Sequence, residues 1–511
     1  MKRKNLIKGF LYVSIISFGV SCTNLDEEVL DGKSYISSGG ASNINPTAVL
    51  QSAYNGLRDF NGQGLMYALD EMSTDAMVGP TRGGDWDDNG VWRQIHTHTW
   101  APDHGEVRGA WVSLLSNVYN CNLVVESATA TASEVTQARF LRAFYYYNVV
   151  DLFGQAPYRP AGSNLLEDPL VWTRPEATSF VISELEAIVG SLSDRTAGDA
   201  SIVNKDAAHF LLAKIYLNKA IYNGSGVFSA EDMTKVVQNV DALTNSLASN
   251  YWDNFEPSNN ASNEIIFSSK NIQGGDGGNM QSKWRMGTHY NQTPSGWNGF
   301  ATVSEYYNRF NSADARASYS TPSIIANIGN PVGFNVGQQY APGGVIPLTD
   351  RIDIPGSNPP QQQPLIYTPT VTLITSGSTL ESAGIRGMKY VPDPGNIEKP
   401  NNDLVLMRYS DALLMKAEAI LRGGSGSVGT ILADIAARAG VAEAPNTLDG
   451  VYAERGRELW WEGYRRNDMI RFGKFLEARE LKPYVSDSKY LLYPIPADAL
   501  FNANLKQNPG Y

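Results

Sequence analysis

The sequence predicts a mainly α-helical protein in which helical repeats form a scaffold, long aromatic-rich loops connect them, and β-structure is minor. Three observations predict this class. Apolar residues recur at helical spacing along several long segments, these segments arrive in pairs, and stretches rich in Trp, Tyr and Gly separate the pairs. Of the 511 residues, 42% are hydrophobic and 18% are charged, which indicates a globular chain and excludes wholesale disorder.

The predicted helices have recognisable ends. Gly154, followed by Pro157, terminates one helix, and Ser229 with Asp232 forms a capping signal at the start of another. In chain order the predicted helices span residues 47–60, 105–127, 134–153, 205–222, 231–246, 404–421, 430–438 and 451–475. Antiparallel pairs of this length predict stacked tetratricopeptide-like repeats, although the strict repeat consensus is not visible.

Three long segments do not follow a helical pattern. They are residues 70–104, 250–307 and 318–399, and the third is rich in proline. Within it, the alternation along residues 365–374 predicts an edge strand or a hairpin. Because loops on a rigid scaffold commonly carry function, and because these contain many Trp, Tyr and Gly residues, we expect them to form a binding surface.

Charge and motifs exclude several classes of protein. The formal net charge is −11 and no basic run follows the first ten residues, so nucleic-acid binding is not expected. The sequence contains no Gly-x-Ser-x-Gly elbow, P-loop or His-Glu-x-x-His pair. Residues 424–429 match a dinucleotide-binding spacing, but they follow a predicted helix instead of a strand and are therefore expected to form a loop. We expect no cofactor, no metal and no catalytic residue.

The first 21 residues have the organisation of a lipoprotein signal peptide. Basic residues between Lys2 and Lys8 precede an apolar run that is too short to span a bilayer, and small residues then lead directly to Cys22. We expect cleavage before Cys22, acylation of its thiol, and anchoring of the mature chain to a membrane. The other cysteine, Cys121, falls on the apolar stripe of a predicted helix and is expected to be a core residue without redox chemistry.

Four segments carry a resemblance to a known family. They are Ala138–Pro157, Leu406–Ala419, Glu454–Gly473, and the C-terminal Tyr493–Asp498 with Asn504–Tyr511. Together with Gly296–Gly299 and Asp314–Arg316, they resemble the SusD/RagB family of nutrient-binding outer-membrane lipoproteins. One departure is Leu432–Gly440, where the family commonly has an Asn before a Val-Arg pair, and this departure concerns packing.

The resemblance implies a domain organisation and a function. Residues 22–511 are expected to form a single domain, with an N-terminal part of about 22–320 and a C-terminal part of about 321–511. The implied function is capture of an oligosaccharide at the cell surface and its delivery to a TonB-dependent, SusC-like transporter of the outer membrane. An acidic cluster, Asp26 to Glu28, resembles a signal for export to the outer, extracellular face.

The candidate ligand-binding residues lie in two loops. Flat aromatic rings can stack on sugar faces, and Asp and Arg can bond to sugar hydroxyls, so these residue types define the candidates. The predicted contacts are Asp75, Arg82, Trp86, Trp92, Trp284, Arg285, Tyr290 and Trp297. The charged residues of the helical motifs, including Arg142, Arg408 and Asp411, are instead expected to form structural ion pairs. The spacing of Glu458, Glu462 and Arg466 predicts one face of a single helix.

Four alternatives remain open from the residues alone. The turn Asp85–Gly90 fits the first half of a calcium loop, but the closing Glu is absent. Asp85, Asp87 and Asp88 could serve a glycoside hydrolase, which would need two carboxylates about 5–9 Å apart. His96, His98 and His104 could bind a metal, although their spacing is not diagnostic. The ligand could also be a peptide or another nutrient.

The lipid-anchor hypothesis has a direct test. Cys22→Ala removes the residue that would be acylated, so the protein is expected to move from the membrane fraction to the soluble periplasmic fraction. Fractionation followed by immunoblotting measures this shift. Continued membrane fractionation of Cys22→Ala would contradict lipidation at this residue.

Overall fold

Paired α-helices form the body of the fold. The computed structural model describes residues 44–159, 163–164, 166–275, 278–375 and 380–511. The predicted signal peptide and Cys22 lie outside the described residues. The helices are α1 (Pro46–Asn55), α2 (Leu65–Glu71), α3 (Val91–Thr97), α4 (Gly105–Val125), α5 (Ala132–Phe153), α6 (Arg174–Ile188), α7 (Lys205–Tyr222), α8 (Ala230–Asp241), α9 (Ser282–Arg285), α10 (Ser304–Tyr307), α11 (Pro322–Ile328), α12 (Tyr409–Leu421), α13 (Ile431–Ala439), α14 (Leu448–Glu458) and α15 (Arg465–Arg471).

Successive helices pack against each other in a continuous stack. Helix α4 packs on α5, α5 on α6, α6 on α7 and α7 on α8. Helix α12 then packs on α8 and on both α13 and α14, which joins the C-terminal helices to the same stack. The predicted helical-repeat scaffold is confirmed. Among the described residues, no helix is long and apolar enough to cross a membrane.

Side-chain caps fix where the long helices begin. Thr131 and Glu134 form a complete capping box at the start of α5, and the Asn204 side chain accepts a hydrogen bond from Ala207 N at the start of α7. A second complete capping box, formed by Thr173 and Glu176, begins α6. Helix α6 was not predicted from the sequence, although this capping box was a visible signal for it.

Two predicted helices are wrong in part. The segment 404–421 begins as a strand, because its first residues pair with a strand that is far away in the sequence. It becomes helical only at Tyr409. The segment 451–475 is two helices, α14 and α15, separated by a turn in which Trp461 and Gly463 have left-handed φ angles of 57° and 83°. Glu458 and Glu462 therefore do not lie on one helix face with Arg466.

Short antiparallel strands cover the scaffold. They are β1 (Gln155–Tyr158), β2 (Leu170–Thr173), β3 (Ile265–Ser269), β4 (Ser318–Tyr319), β5 (Val332–Asn335), β6 (Gly337–Gln338), β7 (Thr349–Asp353), β8 (Gln362–Pro364), β9 (Ile366–Tyr367), β10 (Arg386–Met388) and β11 (Leu404–Arg408). The largest sheet has the order β10-β5-β4, and the two-stranded sheets pair β1 with β2, β3 with β11, β6 with β9, and β7 with β8. Within residues 365–374, where an edge strand or a hairpin is predicted, only Ile366–Tyr367 forms a described strand, β9, which pairs with β6.

One large hydrophobic core joins the N-terminal and C-terminal parts of the described chain. Its buried members run from Val49 to Leu505, and a smaller core lies among α12, α13 and α14. Trp460 and Trp461 are fully buried in the large core. Cys121 is also buried, and burial raises the pKa of its thiol to about 12, which is the property of a core cysteine without reactivity.

A group of buried ion pairs ties the C-terminal helices to the strands. Arg408, at the end of β11, bonds to Glu264, Glu458 and Glu462, and all four side chains are almost completely buried. Burial alone would raise the pKa of Glu458, but Arg438 and Arg408 beside it hold that pKa well below its ordinary value. We refer to Arg408, Arg438, Glu264, Glu458 and Glu462 as the central ion cluster.

Removing Arg408 should therefore be strongly destabilising. Arg408→Ala leaves three buried carboxylates without their shared cation, and the expected loss in the free energy of unfolding is about 3–5 kcal/mol. Arg108→Ala is the matched control, because Arg108 pairs with Asp498 on the surface and its loss should cost less than about 1 kcal/mol. Urea unfolding of both variants measures the difference, and equal losses would contradict this role of the cluster.

Candidate ligand-binding face

Two distant loops meet on one surface of the protein. The indole Nε1 of Trp86 donates a hydrogen bond to the backbone oxygen of Trp297 (2.7 Å), and the hydroxyl of Tyr290 donates to the carboxylate of Asp85. From β7, the Arg351 guanidinium lies 3.9 Å from the centroid of the Tyr290 ring and 3.7 Å from the Asp85 carboxylate. We call these five residues, Asp85, Trp86, Tyr290, Trp297 and Arg351, the aromatic face.

The backbone around Asp85 is a tight turn that projects this side chain outward. Arg82 and Asp85 exchange two backbone hydrogen bonds, of 2.9 and 3.0 Å, around the turn. The next residues include three with left-handed φ angles, namely Trp86 (62°), Asp88 (41°) and Asn89 (55°). Such conformations are unfavourable for residues other than glycine and are often found at functional sites, where the surrounding structure holds them in place.

The aromatic rings of the face differ in how much surface remains free. Trp86 packs against Phe300 and Trp92, with ring centroids 4.9 and 5.7 Å apart, so most of its ring supports the loop. Tyr290 is partly buried and is covered on one side by Arg351. Trp297 is partly exposed, and no ring of the described residues stacks on it. Trp297 and the exposed part of the Tyr290 ring, which also contacts His289, are therefore the surfaces that a flat ligand can cover.

A polar group beneath the face fixes Arg351. The guanidinium of Arg351 donates to one carboxylate oxygen of Glu381. The other oxygen of Glu381 lies within hydrogen-bond distance of His289 and accepts a hydrogen bond from Asn298. Burial alone would raise the pKa of Glu381, but the hydrogen bonds from His289 and Arg351 lower it below its ordinary value. Glu381 is therefore a carboxylate that holds the guanidinium in place over Tyr290.

The structure does not place four predicted contacts where a ligand could reach them. Arg82 is fully buried and donates to the backbone oxygens of Gly299, Leu380 and Ala383. Trp92 is buried, and its Nε1 donates to Asp88. The ring of Trp284 is completely buried in the core.

The fourth corrected residue is Asp75. Its carboxylate is buried and bonds to Arg465 through two hydrogen bonds of 2.7 Å and to Arg309 through one of 2.8 Å. It therefore joins its loop to α15 instead of facing solvent. The partners of Asp75 and Arg82 lie far away in the sequence, which is why residue type alone did not reveal that these two side chains are bonded inside the protein.

Arg285 lies next to the aromatic face. Its backbone oxygen accepts a hydrogen bond from Trp297 N, and its side chain pairs with Glu398 and is only 20% exposed. Two residues that contribute to the face, Arg351 and Glu381, were not predicted. They lie in the proline-rich segment, where no local pattern distinguishes a residue that stacks on Tyr290 from any other loop residue.

The carboxylates and histidines that suggested calcium binding, glycoside hydrolysis or a metal site form hydrogen bonds or ion pairs within the protein. Asp85 bonds to Tyr290, Asp87 pairs with Arg93 (2.8 Å), and Asp88 accepts from Trp92 (2.7 Å). Both ring nitrogens of His96 and of His98 have partners in the protein. The described residues contain no cluster of three or more His, Cys, Asp or Glu side chains arranged to hold a metal ion.

A separate cavity lies inside the scaffold. Its volume is about 80 Å³, and Tyr67, Asp70, Tyr147, Lys283 and Trp461 are among the residues that line it. Pockets that bind organic ligands usually measure about 300–1,000 Å³. This cavity is therefore too small for an oligosaccharide, and the aromatic face is the better candidate.

The fold is that of a helical-repeat protein, and the aromatic face built from its loops is a candidate ligand surface. A model of the SusD family matches residues 263–491, and a second model, described as "Starch-binding associating with outer membrane", matches residues 28–217. The two matches fall on complementary parts of the sequence. The chain belongs to the SusD family.

Individual relatives are distant but cover nearly the whole chain. The starch-binding protein SusD of Bacteroides thetaiotaomicron is 26% identical over 98% of this chain and 97% of its own length. Among solved structures, a SusD superfamily protein from Parabacteroides distasonis has a TM-score of 0.69 at 20% identity, covering 91% of this chain and 98% of that chain. Surface glycan-binding protein A of B. thetaiotaomicron, in complex with laminarihexaose, has a TM-score of 0.64 at 22% identity, covering 91% and 98%. These structural likenesses show the fold.

The supporting role of Asp75 predicts a pH dependence. Burial would raise the pKa of its carboxyl, but Arg465 and Arg309 lower it to about 2, below the ordinary value of 3.8. Because the pKa is depressed in the folded state, the stabilisation is complete above about pH 4 and is lost as the pH falls toward 2. Asp75→Asn should therefore lower the free energy of unfolding at pH 7, and the gap from the unmodified protein should narrow by pH 3. Urea unfolding at both pH values tests this, and a gap that widens in acid would contradict it.

Proposed function

We propose that this protein binds oligosaccharides at the cell surface through the aromatic face. The observation that carries the proposal is the arrangement of Trp297 and Tyr290, two partly exposed rings, beside the exposed polar groups of Asp85 and Arg351. Sugar rings have apolar faces that pack on aromatic rings and hydroxyl edges that exchange hydrogen bonds with carboxylates and guanidinium groups. Both kinds of contact are available at this surface.

The named relatives support this proposal. One is a starch-binding protein, and another was solved with laminarihexaose bound. Their ligands differ from each other, so the family supports a class of ligand and does not identify the glycan. The aromatic face proposed for this chain rests on its own geometry.

Delivery of the bound glycan to a TonB-dependent transporter is the second part of the proposal. Acylation at Cys22 would tether the protein to the outer membrane, on its extracellular side. Tethering a binder beside a channel raises the effective concentration of ligand at the channel without requiring tight affinity. A modest affinity, with rapid release, would therefore suit this role.

Binding is favoured over glycoside hydrolysis by the state of the acidic turn. A hydrolase needs one carboxyl that acts as a general acid, with a raised pKa, and a second carboxylate beside the scissile bond. The hydrogen bond from Arg93 lowers the pKa of Asp87, and Asp85 is bonded to Tyr290. These engagements position the carboxylates as hydrogen-bond acceptors.

Truncating the exposed rings tests the proposal. Trp297→Ala and Tyr290→Ala should each weaken glycan binding by about 2 kcal/mol, or roughly 30-fold, because a central aromatic contact is lost. Phe501→Ala is the matched control, since Phe501 is 89% exposed and lies outside the face. Calorimetric titration of the Cys22→Ala protein with a glycan panel and a peptide pool measures these affinities.

The outcomes of this experiment are distinct. Unchanged glycan affinity in Trp297→Ala and Tyr290→Ala would place the ligand elsewhere on the protein. Binding of peptides alone would contradict the glycan proposal, and product release on a chromatogram would contradict a binding role without catalysis. Melting temperatures of the variants should stay close to that of the control, because both rings are partly exposed.

A further inference from the structure

The guanidinium groups at the aromatic face are already bonded to carboxylates. Arg351 pairs with Glu381 at 2.8 Å and lies 3.7 Å from Asp85. The neighbouring Arg93 pairs with Asp87 at 2.8 Å, and Arg285 pairs with Glu398. Each of these cations therefore has its charge balanced within the protein.

The geometry of Arg351 leaves only its Nη1–Nη2 edge for an anionic ligand, and Nη2 on that edge already lies 3.7 Å from the Asp85 carboxylate. Its Nε and Nη2 atoms both donate to the same oxygen of Glu381, at 3.1 and 2.8 Å. Strong recognition of a carboxylate or a sulfate by arginine uses two parallel N–H groups on one edge of the guanidinium. In Arg351 the Nε–Nη2 edge is occupied by Glu381, while its ring-facing side covers Tyr290.

Exposed carboxylates surround the same surface. The side chains of Asp85 and Asp87 are 51% and 41% exposed, and Asp88 is exposed beside them. Asp88 accepts a hydrogen bond from the neutral indole of Trp92 instead of pairing with a cation. The rim of the face thus carries more negative than positive charge, in a protein whose formal net charge is −11.

We infer that the aromatic face selects neutral glycans and discriminates against glycans that carry carboxylate or sulfate groups. This inference rests on the proposed function and adds the charge class of the ligand to it. A hydroxyl of a neutral sugar can donate to Asp85 or Asp88 in a charge-assisted hydrogen bond. An anionic sugar at the same place has no donor to offer from its charged group, and it meets like charge across a short distance.

A matched pair of ligands tests the inference most sharply. The first ligand is a neutral glucan oligosaccharide that the Cys22→Ala protein binds, and the second is the same oligosaccharide oxidised to uronic acid at its primary hydroxyls. At about 20 mM salt the oxidised ligand should bind at least ~10-fold more weakly, and the ratio should shrink at about 0.5 M salt because screening shortens the range of the repulsion. Calorimetric titration gives both affinities.

A charge-removing variant separates repulsion from shape. Asp88→Asn keeps an oxygen that can accept from Trp92 but loses the charge, so the ratio between the neutral and oxidised ligands should fall by several-fold. Glu443→Gln, in the exposed loop between α13 and α14, removes one charge elsewhere and should leave the ratio unchanged. If neither added salt nor Asp88→Asn changes the ratio between the affinities for the neutral and the oxidised ligand, the electrostatic inference is overturned.

The failures of the two proposals are distinguishable. If an acidic polysaccharide such as polygalacturonate or alginate binds while neutral glycans do not, the charge inference is overturned and glycan binding by the face stands. If no glycan of either class binds, the proposed function fails and the charge inference fails with it.

Discussion

Burial of charge around Arg408 is the constraint on which the rest of the structure depends. The buried carboxylates of Glu264, Glu458 and Glu462 are compensated by Arg408 together with Arg438 and Lys389. Without these cations the desolvation of each unpaired ion would cost several kcal/mol. Arg408 lies at the end of β11, and its three partners lie immediately before β3 (Glu264), in α14 (Glu458) and in the turn that follows α14 (Glu462). These elements can therefore pack only in the one arrangement that brings the charges together, and this arrangement fixes the C-terminal helices against the strands.

Buried charged side chains also anchor the loop that carries part of the aromatic face. Asp75 joins its loop to Arg465 at the start of α15, and Arg82 joins the next turn of that loop to the backbone at Gly299 and Ala383. Asp85 and Trp86 follow directly in the chain. Buried hydrogen bonds beneath the aromatic face thus hold it in one conformation. This reduces the loss of conformational entropy that ordering the face on ligand binding would otherwise require.

Local signals allowed much of the scaffold to be predicted. The capping residues Ser229 and Asp232 of α8 and the terminating Gly154 of α5 are readable because their partners are within a few positions in the chain. The strand β11 was misread as helix because an apolar run of that length fits either structure, and only pairing with β3 decides between them. At the face, residue type pointed to two loops that the structure brings together. It could not separate the partly exposed Trp297 from the buried Trp284, because burial there is set by residues distant in sequence.

The most direct measurement is a crystal structure of the Cys22→Ala protein with a bound neutral oligosaccharide. The sugar rings should lie against Trp297 and the exposed part of Tyr290, with hydroxyls bonded to Asp85 or Arg351. The scaffold should be unchanged, because the face is formed in advance. A sugar bound away from the aromatic face, or a face that rearranges by several ångströms to admit it, would contradict the proposed binding site.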